Sequence, residues 1–68
     1  MRVTYDKQAD AMYLYIGRGK IKKTIPVNQR VLIDVDKSGK LIGIELLFIS
    51  QAMPKSKLRI GKMRIPVA

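Results

Sequence analysis

Apolar and polar residues alternate along most of this chain with a period of two, and a helical period is nearly absent. Val3 and Tyr5 point one way with Arg2 and Thr4 opposite, which reads as a short first strand. Asp6 to Asp10 is a polar break. Ala11 to Ile16 resumes the alternation, with Met12, Leu14 and Ile16 on one face and Tyr13 and Tyr15 on the other. Gly17-Arg18-Gly19 is a turn by composition. Ile21 to Val27 alternates again, and Pro26 cannot donate to a ladder, so this third strand is expected at an edge or a bend.

Val31 to Phe48 reads as a hairpin. Val31, Ile33 and Val35 share one face of its first strand, with Asp34 and Asp36 opposite. Asp36-Lys37-Ser38-Gly39-Lys40 carries the turn chemistry: an Asp that bonds nearby backbone N–H groups, then a Gly that accepts positive φ. A type I turn with Gly39 left-handed and a bulge after it is the expected connection. The second strand is apolar on both sides, with Ile42, Ile44, Leu46 and Phe48 on one and Leu41, Leu47 and Ile49 on the other. Such a strand calls for cover on both faces, here by a second subunit or a C-terminal element.

After Ser50 the pattern weakens. Ser50 to Met53 fits one helical turn, which Pro54 stops. Leu58 to Ile65 reads as a small basic hairpin bending at Gly61-Lys62, or as an arm without fixed structure. The expected fold is mainly β: a small antiparallel meander of about five strands with a short C-terminal helix or extra hairpin. Residues 1–52 form the meander domain and residues 53–68 a basic tail.

The chain has 68 residues, neither cysteine nor histidine, and 47% apolar residues. That removes disulfides, the usual zinc sites and His-dependent nucleophilic systems. No apolar run approaches a membrane span, and the N-terminus turns polar too early for a signal peptide. A cytoplasmic protein without membrane or cofactor is expected. The net charge is +9, of which residues 46–68 contribute +5 with no acid at all. A second basic run, Arg18 to Lys23, lies in the first half. Such a field attracts polyanions without specifying one.

Tyr5-Asp6 followed by Ala9-Asp10-Ala11-Met12-Tyr13-Leu14 resembles the opening of the Domain of Unknown Function 2283 family. Ile33-Asp34-Val35-Asp36, Gly39 and Gly43-Ile44-Glu45-Leu46 resemble its second half, so the likeness covers about residues 3–50. The motif positions Tyr5, Asp6, Asp10, Tyr13, Asp34, Gly39 and Glu45 have no role assigned by the resemblance. It implies a partner-binding, antitoxin-like member of a small two-gene pair, set beside a toxin-like ribonuclease. An inhibitor of a basic ribonuclease gains from acidic complementarity, and a charge of +9 runs against that.

Three constellations could carry chemistry. Asp34 and Asp36, two apart on one strand face, could hold a hard cation, but Asp6, Asp10 and Asp36 read more simply as turn residues bonding their own backbone. No metal is expected. Glu45, a carboxylate inside an apolar strand, reads as paired or at an interface rim before it reads as a buried base. Tyr13 and Tyr15, with Arg18, Lys20, Lys22 and Lys23 and the tail residues Lys55, Lys57, Arg59, Lys62 and Arg64, could bind an unpaired nucleic-acid strand by stacking and charge. The simpler role for the tyrosines is packing with the hydroxyl at the water boundary. The expectation is a non-enzymatic protein-interaction module, a homodimer with a small toxin-like protein as a further partner. Nucleic-acid binding is the alternative.

Overall fold

A computed structural model describes residues 1–53 and, for strand pairing alone, residues 61–64. Six strands form one antiparallel sheet: β1 (Arg2–Asp6), β2 (Ala11–Tyr15), β3 (Lys23–Pro26), β4 (Val31–Val35), β5 (Leu41–Leu47) and β6 (Gly61–Arg64). Their order across the sheet is β3-β4-β5-β2-β1-β6. The mainly β expectation holds. Pairing is sequential within β1–β2 and within β3–β4–β5, and the two groups join where β2 meets β5. Pro26 does sit on an outermost strand, where its missing N–H leaves no ladder bond open.

Directly opposed residues share a face, so the register defines both sides. One side carries the rows Tyr5–Met12–Leu46–Val31 and Val3–Leu14–Ile44–Ile33–Ile25. The other carries Thr4–Tyr13–Glu45–Leu32–Pro26 and Arg2–Tyr15–Gly43–Asp34–Thr24. The first side holds the core: Val3, Met12 and Ile49 are buried, with Tyr5, Leu14, Leu46 and Met53 packed against them.

The hairpin turn forms as its residues dictate. Gly39 has φ 87°, its N–H bonds Asp36 O at 3.0 Å, and the Asp36 carboxylate accepts from the N–H groups of Ser38 and Lys40. A further register shift falls between Asp34 and Val35, which alternation alone does not show.

Two expectations need correction. The fifth strand ends at Leu47, because Phe48 turns left-handed at φ 53°. That reversal takes Ile49 off the face assigned to it and swings it over the core, at the start of a single 3₁₀ turn, Ile49–Gln51. The single helical turn expected from Ser50 thus forms as this 3₁₀ turn, beginning one residue earlier. Gly61 and Lys62, read as a bend, are strand residues paired with Tyr5 and Thr4 of β1. Pro54 and Leu58 to Ile60 lie outside the described residues.

Cover on β5 is incomplete. Ile44, Glu45, Leu46 and Leu47 are all half-buried although the strand lies inside the sheet. The segment Ile49 to Met53 shields the core side only over β1, β2 and β5. Toward β3 no described residue outside the sheet covers the same side to the point of full burial, and Ile25 and Ile33 stay half-buried.

Candidate functional site: a polar row and a basic sheet end

On the side away from the core, Tyr13 lies across Gly43. A Cβ at Gly43 would stand within 2.2 Å of the Tyr13 hydroxyl, so glycine is what lets the ring lie flat over β5. The Tyr13 hydroxyl then donates to Asp34 Oδ2 at 2.6 Å, and Thr24 Oγ1 donates to Asp34 Oδ1 at 2.5 Å. Asp34 is 9% exposed, and each of its oxygens accepts a hydroxyl. Burial, then the bond to Asp34, then the charges of Asp34, Tyr15 and Glu45 push the Tyr13 phenol well above the ordinary tyrosine value. A carboxylate held this way fastens β2, β4 and β3 together across β5.

That arrangement has a consequence in alkali. The folded-state pKa of Tyr13 lies above the unfolded value of about 10, so its contribution is whole below that pH and is lost as pH rises past it. The urea midpoint should fall above about pH 10, and Tyr13→Phe should shed part of that fall. An identical pH profile for Tyr13→Phe would rule out this role.

Asp10 makes a second fastening. It accepts from the Tyr5 hydroxyl at 3.0 Å, from Ser50 N–H at 3.1 Å and from Ser50 Oγ at 2.7 Å, while its carbonyl accepts from Ile49 N–H. Its φ of 52° is one that Asp tolerates better than most residues. Partial burial and the Asp10 bond raise the Tyr5 phenol. Asp6 closes the β1–β2 turn by accepting from the N–H groups of Gln8 and Ala9. Glu45 stands half-buried between Tyr13 and Leu32.

Asp34 and Asp36 do not form a pair. Asp34 faces Tyr13 and Thr24, whereas Asp36 folds back onto its own turn, held below the usual carboxylate range by the Ser38 hydroxyl and the turn N–H groups. The register shift between Asp34 and Val35 separates them. Among the described residues no three carboxylates come together to hold a metal ion.

Of the residues proposed for nucleic acid, Tyr15 has the Arg2 guanidinium 3.8 Å over its ring and meets Tyr13 at 4.8 Å between centroids. Arg18, Lys20, Lys22 and Lys23 are exposed. Lys62 stands opposite Thr4 and Arg64 opposite Arg2, while Lys55, Lys57 and Arg59 lie outside the described residues. Antiparallel order brings the starts of β1, β3 and β5 to the same end of the sheet as the finish of β2 and β4. Arg2, Arg18, Lys20, Lys22, Lys23, Lys37 and Lys40 therefore gather there. Among the described residues, the opposite end sets Lys7 and Arg30 against Asp6 and Asp10. A cleft of about 420 Å³ at the basic end is lined by Gly19, Lys20, Ile21, Lys22, Asp36 and Lys37. Lys37 and Lys40 were missed in the sequence because only the strand order places the hairpin turn beside the β2–β3 connection.

The family model described as Protein of unknown function (DUF2283) matches residues 2–50, from the first strand through the 3₁₀ turn. Uncharacterized protein MJ0789 of Methanocaldococcus jannaschii is 35% identical over 62 residues, covering 91% of this chain and 53% of that protein. The chain thus spans about half the length of this curated relative. No solved structure gives a significant match. No helix among the described residues is long and apolar enough to cross a membrane.

Proposed function

The chain belongs to the DUF2283 family of proteins of unknown function, and from that premise we propose that it is a non-enzymatic protein-interaction module whose open sheet face is occupied by a second copy of itself. The carrying observation is the core-side face toward β3. Ile25, Ile33 and Ile44 are half-buried there, while Ile16 and Val27, which continue the same alternation, are 44% and 59% exposed. The row is almost wholly β-branched and aliphatic, which suits sheet-on-sheet packing.

A second copy brings an identical face, and the cations sit at the sheet end rather than among these isoleucines. Membership of the family adds the antitoxin-like partner as a competing occupant.

The polar groups of the family-like motif do not compete with this reading, because Tyr5, Asp6, Asp10, Tyr13 and Asp34 make hydrogen bonds inside the fold. The mass in solution should be twice 7.7 kDa. Ile16→Gln with Val27→Gln, both at exposed positions, should weaken self-association by roughly a hundredfold without lowering the monomer's own stability. A wild-type monomer at every soluble concentration would overturn the self-association. So would a stoichiometric complex with a co-encoded protein seated on the same isoleucines.

A further inference from the structure

We infer that the outer edge of β3 is a docking strand for an acidic, extended segment of a partner protein, added antiparallel or parallel as a further strand of the sheet. The inference uses the sheet edge and not the apolar face, so it stands apart from self-association.

Among the described residues β3 pairs with β4 alone. Val27 N–H bonds Val31 O at 2.8 Å, so period-two alternation turns the N–H and C=O of Thr24 and the C=O of Pro26 outward. Backbone groups of this kind are a ready template for an added strand. Pro26 withholds one donor and so limits the contact to the Lys23 end of the strand.

Charge selects the occupant. β3 begins at the basic end, where Lys20, Lys22 and Lys37 line the cleft beside Lys23. The carboxylate in that cleft, Asp36, is engaged by Ser38 and Lys40 of its own turn. A second copy offered edge to edge would set Lys22 and Lys23 against the same residues, so the lysines that bar this chain admit one of opposite sign. Ile21, 51% exposed, flanks the edge and offers apolar contact to the guest.

The aromatic rings favour protein over nucleic acid. A stacking platform needs free faces. Tyr13 lies against Gly43 with its hydroxyl bound to Asp34, and Tyr15 has Arg2 over it. Besides Tyr15, 37% exposed with Arg2 over its ring, the basic end presents ammonium and guanidinium groups, aliphatic side chains and backbone.

The test uses the full chain, isotope-labelled, and a soluble peptide of about eight residues alternating Glu and Val, a typical strand length. Binding should shift the Thr24 and Ile25 amides and weaken with salt. It should drop about tenfold in Lys22→Ala/Lys23→Ala, two exposed positions. An N-methylated peptide of the same charge, unable to donate to the edge, should bind at least tenfold more weakly. Equal binding of the N-methylated peptide would overturn the added strand. Displacement of the acidic peptide by an oligothymidylate of equal charge, with shifts at Tyr15 and not at Thr24, would overturn the protein partner in favour of a nucleic acid. Either result leaves the mass measurement of the dimer untouched.

Discussion

Gly43→Ala should strongly destabilise this domain, because the added methyl has no room beside the Tyr13 ring. The new Cβ would meet the Tyr13 hydroxyl at 2.2 Å and its ring carbons at 2.4 and 2.5 Å. The ring must leave β5, and the bond to Asp34 leaves with it. Overpacking of this kind costs about 1–3 kcal/mol, and an acceptor left buried without its donor costs about 1–3 kcal/mol more. Domains of this size have a total stability of roughly 3–10 kcal/mol, so the variant should be largely unfolded or close to it. A coupled test keeps the idea exposed. In a Tyr13→Ala background the three atoms nearest the extra methyl are gone, so Gly43→Ala should then cost less than about 1 kcal/mol by urea unfolding. Additive costs would show that Gly43 matters for some reason other than the ring.

The second large effect is expected at Asp10. Asp10→Ala removes the acceptor for Tyr5 and for both Ser50 donors, and it places a Cβ-bearing residue without a compensating side chain at φ 52°. Bonds to a charged acceptor contribute about 1.5–3 kcal/mol each, and they are not additive within one network, so a loss of about 3 kcal/mol is expected. Asp10→Asn keeps an acceptor oxygen and a tolerance for the left-handed region, and should lose about half as much. A reading beyond stability distinguishes the mechanism. Amide exchange at Ile49 and Ala52 should speed up ahead of global unfolding, because Asp10 is what holds the 3₁₀ turn over Val3 and Met12. If exchange there rises no more than in β4, Asp10 acts through the β1–β2 turn alone.

Local chemistry made part of this molecule legible. Asp36 and Gly39 announce their turn because every group involved lies within five residues, and Pro26 announces an edge because it lacks a donor wherever it sits. Phe48 gave no such signal. An aromatic residue at φ 53° follows from where Ile49 must go, and that is set by Val3 and Met12, far away in the chain. The polar row was hidden for a related reason. Tyr13, Asp34 and Gly43 stood out one by one, but their meeting depends on the registers of β2 with β5 and β5 with β4 together. A carboxylate read as a candidate ligand became a clasp once its neighbours were known.

The junction of β2 with β5 also sets the order of events in time. β1–β2 and β3–β4–β5 each close through neighbours in the chain, so both can form early and separately. The seam between them requires Ala11 to find Leu47 and Tyr15 to find Gly43, across a longer stretch of chain than any pairing inside either group. Until it closes, each group presents an unsatisfied strand edge next to Leu14 or Ile44. The closing of this seam is therefore also the moment when strands of two different molecules can be exchanged, and a sheet whose two groups meet late has the means to swap them.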